Sequence, residues 1–206
     1  MSYLEFFSVM AGLLAVWLSA KANIWSWPIG IINVLLSFFF YYQIQLYPDM
    51  FLQVFFFVTN LMGWWRWSNP RPEEKDNKLE LRVSFMKRTN FILLFIAGMG
   101  GTFLMGMLAS NLHNWVPYLF NLPSSFPYTD SFILVMSIIT TFLMIQKRIE
   151  CWIIWIVIDI VATILYFMKG AKFFSAEYLA FTIIAAFGLW NWIREYNSYE
   201  VHSDKN

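Results

Sequence analysis

Residues 150–168 read ECWIIWIVIDIVATILYFM. The run has no glycine or proline and a single charge past its first residue. A half-buried strand would alternate, and a soluble amphipathic helix would show a polar stripe. This run does neither. At about 1.5 Å per residue it spans nearly 30 Å, the thickness of bilayer hydrocarbon. It therefore predicts a transmembrane helix.

Working outward, six more such runs appear: about Tyr3 to Ala20, Ala22 to Gln43, Asp49 to Trp67, Asn90 to Leu112, Asp130 to Gln146, and Ser175 to Ile193. Turn residues punctuate them. Tyr47-Pro48-Asp49 predicts a short turn, and Asn69-Pro70-Arg71-Pro72 stops the third span. A charged, solvated loop is expected to about Arg88. Residues 113–128 hold Pro117, Pro123 and Pro127 and predict an ordered or re-entrant outer loop.

Composition agrees. Of 206 residues, 59% are hydrophobic and 13% charged, against about 25% charged in a soluble domain. The class is an all-α integral membrane protein, with residues 1–206 as one transmembrane domain. Lys+Arg number 14 against 13 Asp+Glu, so no basic footprint for nucleic acid exists. A single Cys151 excludes an internal disulfide or thiolate cluster. His113 and His202 lie outside the spans, which argues against a metal centre. No cofactor is expected. The start lacks a basic segment and small-residue cleavage site, so the first span is expected to remain as an anchor.

Basic residues set the orientation. With the N-terminus outside, 12 of the 14 fall inside: Lys21, Arg66, Arg71, Lys75, Lys78, Arg82, Lys87, Arg88, Lys147, Arg148, Arg194 and Lys205. Lys169 and Lys172 remain outside. The C-terminus is thus expected in the cytoplasm.

The chain also matches itself at an offset of 125 residues. Trp27 falls on Trp152, Tyr41 on Tyr166, Phe56 on Phe181, Gly63 on Gly188, Trp65 on Trp190 and Trp67 on Trp192. The shared Gly-x-Trp-x-Trp carries the most weight, because chance matches between apolar residues are common. A three-helix unit (about 3–67), a linker helix (about 90–112) and a second unit (about 130–193) follow. The odd linker keeps both units in one orientation. Parallel repeats of this 3+1+3 kind occur in transporters, with the substrate between the halves.

Polar groups inside a span cost several kcal/mol unless paired or hydrated, so each is a functional candidate. Trp152, Trp155 and Asp159 share one helix face, with Glu150 at its start. Two indoles beside a carboxylate suit a flat, cationic or electron-poor ring, by stacking or cation–π contact. In the third span Gln53, Phe56 and Asn60 share a stripe, and their amides can both donate and accept. Asn33 is similar. For the amides, helix–helix hydrogen bonding is an equal alternative. Glu177 reads as a solvated or helix-N-terminal charge. Gly98, Gly100, Gly101 and Gly106 read as helix packing. No Ser/His/Asp set, His-Glu-x-x-His or phosphate-gripping glycine loop is present, and no catalytic role is expected.

Several of these residues resemble one family. Gln43-Ile44-Gln45-Leu46-Tyr47, Leu52-Gln53-Val54-Phe55-Phe56-Phe57, Asn60 and Gly63-Trp64-x-x-Trp67 resemble the first half of the PnuC family. Glu150-x-Trp152-x-x-Trp155-x-x-x-Asp159 and Glu177-Tyr178-Leu179 resemble its second repeat. The family pattern Trp-x-x-Trp-x-x-x-Asn carries over as Trp152, Trp155 and position 159, where this chain has Asp.

The resemblance implies an architecture similar to a duplicated SWEET-type unit in the bacterial inner membrane. It implies nicotinamide riboside uptake by facilitated diffusion, with cytosolic phosphorylation trapping the product. Trp152 and Trp155 would hold the pyridinium, with Asp159, Gln53 and Asn60 orienting ribose and carboxamide. Related Pnu-type proteins carry thiamine, also a cationic heterocycle, and a carboxylate suits both. A homo-oligomer is compatible with this reading. A membrane binding or assembly protein without a transport cycle is the alternative of another class.

Overall fold

The structure, a computed structural model, describes residues 3–43, 47–76, 79–115, 118 and 125–203. These form seven α-helices: α1 (Tyr3–Ala20), α2 (Ser26–Gln43), α3 (Tyr47–Ser68), α4 (Arg88–Trp115), α5 (Pro127–Ile145), α6 (Glu150–Met168) and α7 (Lys172–Ser203). The Ile44–Leu46 part of the family motif and most of the proline-rich stretch between 113 and 128 lie outside the described residues. Five helices, α1, α4, α5, α6 and α7, are long and apolar enough to cross a bilayer. The other two are more polar because α2 carries Asn33, Ser37, Tyr41 and Gln43, and α3 carries Gln53, Asn60 and Arg66.

Several boundaries differ from expectation. Helix α3 begins at Tyr47 instead of after a turn at Pro48. Proline fits the first turn of a helix, where its missing N–H is not needed. Helix α7 runs ten residues past Ile193, beyond its apolar run. Its extension packs Tyr196 edge-on to Phe85 and lays Tyr199 beneath Arg82.

Consecutive helices pack antiparallel: α1 on α2, α2 on α3, α4 on α5, α5 on α6 and α6 on α7. Two further interfaces join the chain's halves, α1 with α7 and α3 with α5. Gly98, Gly101 and Gly106 of α4 face Met136, Val135 and Tyr128 of α5, as their packing role predicts, whereas Gly100 has nothing within 4 Å of an added Cβ and does not fill that role. The opposite face of α4, with Leu93, Ile96, Phe103 and Leu104, is exposed.

The core concentrates at the end of the bundle where α1, α3, α5 and α7 finish. Four tryptophans form a continuous row there. Trp27 meets Trp67 edge-on at 5.3 Å, Trp152 meets Trp192 edge-on at 5.5 Å, and Trp67 and Trp192 meet at 6.1 Å. Each outer indole lies over a glycine, Trp27 over Gly63 and Trp152 over Gly188. An added Cβ at Gly188 would stand 2.8 Å from the Trp152 ring, so the close approach needs glycine. Trp65 and Trp190, two residues on, point outward and are exposed. The Gly-x-Trp-x-Trp pattern thus places its glycine and last tryptophan inside and its middle tryptophan outside.

The same end is tied by donors to main-chain oxygens. Trp67 Nε1 donates to the carbonyls of Met144 and Ile145 at 3.3 and 3.1 Å. Trp192 Nε1 donates to Ser19 at 3.0 Å, and Asn191 Nδ2 to Ala20 at 3.0 Å. The two helix corners have one conformation. Ala22 and Lys147 are both left-handed, at φ 53° and 50°. Asn23 N–H donates to Leu18 O and Arg148 N–H to Leu143 O, each at 3.0 Å, closing the carbonyl ends of α1 and α5.

The 71–87 loop is not a free solvated segment. Leu81 and Val83 are buried, at 3% and 0% exposure. Ser84 pairs with the α5–α6 corner through Ser84 N–H to Lys147 O and Ile149 N–H to Ser84 O. Arg148 Nη1 donates to Ser84 Oγ and Phe85 O. The loop's described charges are exposed or half-buried, while Leu81 and Val83 pack into one core cluster with the tryptophan row. At its start, Arg66 holds Glu74 at 2.7 Å and lowers that carboxyl below its ordinary value, mainly through this hydrogen bond.

Candidate functional site

Above the tryptophan row lies a cavity of about 440 Å³. It runs from Glu5 and Glu177, near the start of α1 and α7, down to Trp27 and Trp152. Helices α1, α2 and α3 line one side, and α5, α6 and α7 the other. Helix α4 contributes nothing among the described residues.

Sequence-predicted residues converge here. Asn33, Gln53, Phe56 and Asn60 line it from the first half, and Trp152, Trp155 and Asp159 from the second. Asp159 is buried and forms no ion pair among the described residues. Its position in α6 follows from the helical spacing that also sets Trp152 and Trp155 on the cavity side. Trp155 is half-buried, with its ring available to a solute. Trp152 is fully buried, and one ring face is covered by Gly188. It forms floor as much as wall.

The amides are partly committed to the fold. Asn33 Oδ1 accepts from Ser8 Oγ at 2.9 Å and Ser37 Oγ at 3.3 Å, and the two hydroxyls meet at 2.6 Å. This cluster joins α1 to α2, the helix–helix role weighed for it. Asn60 Nδ2 donates to Phe56 O within its own helix at 2.8 Å. Gln53 is buried at the wall.

Glu150 is not brought into the cavity. It is buried at the tryptophan end, where Oε1 accepts from Met86 N–H at 2.8 Å. At the start of α6, two residues before Trp152 and so about 200° round the helix from it, it faces the loop. Glu177 differs in the other sense. It lines the cavity mouth and feels the negative charge of Glu5. Helix periodicity relates residues within one span, so it could not reveal that Glu5 of α1 and Glu177 of α7 line one cavity mouth. Tyr178 and Tyr41 also line the wall, and Tyr178 stacks on Tyr166 at 5.3 Å. Apart from the family match at Tyr178, tyrosines at span ends gave no signal that separated them from interfacial ones.

The electrostatics are one-sided. Glu5, Asp159 and Glu177 line the cavity, and no Lys, Arg or His does among the described residues. Carboxylates with aromatic walls favour a cation, through charge and through ring faces. They disfavour a phosphate, which is met elsewhere by guanidinium or ammonium groups.

The chain is 31% identical over 210 residues to the nicotinamide riboside transporter PnuC of Escherichia coli strain K12, covering 94% of this chain and 86% of that protein. It is 23% identical over 182 residues to the riboflavin/roseoflavin transporter RibM of Streptomyces davaonensis, covering 88% and 80%. The fold matches a crystal structure of the vitamin B3 transporter PnuC with a TM-score of 0.72 at 22% identity, covering 96% of this chain and 83% of that one. Residues 2–194 match the family described as nicotinamide mononucleotide transporter. This polytopic helical membrane protein therefore belongs to the nicotinamide mononucleotide transporter family.

Proposed function

We propose that the protein carries nicotinamide riboside across the bacterial inner membrane by facilitated diffusion, with cytosolic phosphorylation trapping it. The observation that carries this reading is the cavity: aromatic, lined by three carboxylates, and without a basic residue among those described. Such a lining accepts a pyridinium cation and repels a phosphorylated form of the same solute. Trp155 offers the stacking face and Asp159 the counter-charge. Gln53 and Asn60 orient the ribose and carboxamide.

The helix contacts support the 3+1+3 arrangement. Moving each helix of the first unit to its counterpart in the second turns α1–α7 into α5–α3, and α1–α2 and α2–α3 into α5–α6 and α6–α7. All are observed interfaces. Rocking of the units about the cavity gives alternating access. The basic-residue distribution supports an outside N-terminus and a cytoplasmic tryptophan end. In that orientation the cavity reaches toward the outside and is closed on the cytoplasmic side.

Thiamine shares the positive charge and is the nearest competitor, whereas riboflavin is neutral. Tryptophan quenching in detergent with nicotinamide riboside, thiamine and riboflavin tests the assignment. Saturable quenching by nicotinamide riboside, not displaced by equal thiamine, is expected. Preference for either other vitamin overturns it. Counterflow in proteoliposomes without an imposed gradient should then exchange the riboside, and a strict need for a proton or sodium gradient would contradict facilitated diffusion.

A further inference from the structure

The cavity floor holds hydrogen-bond donors that the described residues do not use. Trp27 Nε1, Trp152 Nε1 and Ser26 Oγ have no partner among them. All three residues line the cavity and are at least nine-tenths buried, at 5%, 0% and 3% exposure. Leaving a buried polar group unsatisfied costs its full desolvation penalty, so three around one floor call for a reason.

Burial alone does not supply it. Trp67 and Trp192, in the same aromatic row, both donate to main-chain carbonyls. The indoles that lie over the two glycines are the ones left open. At Trp27 the atoms against Gly63 are Cε3, Cζ3 and Cη2. These belong to the benzene edge, so the pyrrole edge with Nε1 is turned away from that packed contact.

We infer that Ser26, Trp27 and Trp152 form an acceptor-recognising subsite at the cavity floor. It takes a neutral oxygen of the solute, a carbonyl or hydroxyl, while the carboxylates above hold the cationic part. An indole N–H donates and cannot accept, whereas the Ser26 hydroxyl can do either, so it is the two indoles that demand an acceptor. A bare organic cation satisfies the carboxylates but leaves the floor donors unpaired, which a polar site penalises. Trp27 and Trp152 are repeat counterparts, so each half supplies one donor. The inference rests on the reading of this cavity as the transport site.

The test uses the full chain in detergent with nicotinamide riboside and N-benzylpyridinium, an aromatic cation without oxygen. The Trp27 indole proton, identified by its loss in Trp27→Phe, should move downfield when the riboside saturates the protein. Trp27→Phe and Ser26→Ala should each weaken riboside binding by roughly 3- to 10-fold and leave N-benzylpyridinium binding unweakened. Ser26→Ala removes one oxygen and keeps the test standing if Trp27→Phe does not fold. An unmoved Trp27 resonance with riboside bound overturns the subsite. So does an equal loss of both ligands in the variants. If wild type binds no riboside at all, the proposed function falls first and the subsite with it.

Discussion

The two halves of the molecule agree at one end and disagree at the other. At the tryptophan end, Trp27, Gly63 and Trp67 repeat the geometry of Trp152, Gly188 and Trp192. The left-handed corners Ala22 and Lys147 also coincide. In the cavity the same 125-residue offset pairs Trp155 with Gly30, Asp159 with Val34, Gln53 with Tyr178 and Asn60 with Ala185. Only Phe56 and Phe181, among these wall positions, remain alike. A closed end made of like parts needs like residues. A solute without two-fold symmetry needs unlike walls. On the proposed reading, the divergent wall residues recognise the unlike parts of the solute, while the shared tryptophan row closes the end and lends its two outer indoles to the cavity floor.

The comparison breaks hardest at the glycines. Gly63→Leu or Gly188→Leu forces the overlying indole out of the row and should cost about 3 kcal/mol or more, since overpacking of a tight core is seldom absorbed. Thermal unfolding in detergent, or loss of a monodisperse peak, reads this. Gly100→Leu, with nothing within 4 Å of the added carbon, should stay within about 0.5 kcal/mol. Equal effects at all three positions would remove the case for the packed contacts.

Trp155→Ala tests the divergent wall. Loss of one stacking face should weaken the riboside by about 1–3 kcal/mol, or roughly 5- to 150-fold, with little change in melting temperature. Unchanged binding by a correctly folded variant would move the solute elsewhere.

The paired clasps sharpen the comparison further. Trp67→Phe and Trp192→Phe each remove one indole donor and leave its carbonyl partners behind. Each should lower stability by about 1 kcal/mol. Trp67→Phe should cost more than Trp192→Phe, because Trp67 Nε1 reaches two carbonyls and its ring carries the Lys147 ammonium at 4.5 Å, where the other half has Ala22; a larger loss at Trp192 would overturn this.

The smallest effect belongs to the half-exposed Arg66–Glu74 pair, present in one half alone. Because Glu74 is held below its ordinary value of 4.5, its contribution is full above that pH and fades as pH falls through the lowered value. Solvent screening keeps it under about 1 kcal/mol. Glu74→Gln should remove this acid-side slope from the melting temperature and change little at neutral pH.

Much of this was legible in the sequence. Apolar runs located all seven helices, because a membrane span must be long and continuous, and α1 and α6 end where their runs end. Helical spacing set Trp152, Trp155 and Asp159 on one wall. Other features depend on tertiary proximity. Glu150, grouped with Trp152, Trp155 and Asp159 as a candidate at the start of the span, instead anchors the loop through Met86. Leu81 and Val83 alternate with charges over too few residues to predict burial. That Glu5 and Glu177 line one cavity mouth depends on the α1–α7 interface, which no local pattern encodes.

The clasps at the closed end have one more implication. Their donors are side chains, but their acceptors are main-chain carbonyls of Ser19, Ala20, Met144 and Ile145. Every amino acid brings the same carbonyl. A serine can therefore stand opposite a methionine, at positions 19 and 144, while the bonds persist. Mutational drift can erase the likeness of the acceptor strips without loosening the joint. Ancestry in such a protein stays visible on the donor side, at the tryptophans, long after it has faded where they bind.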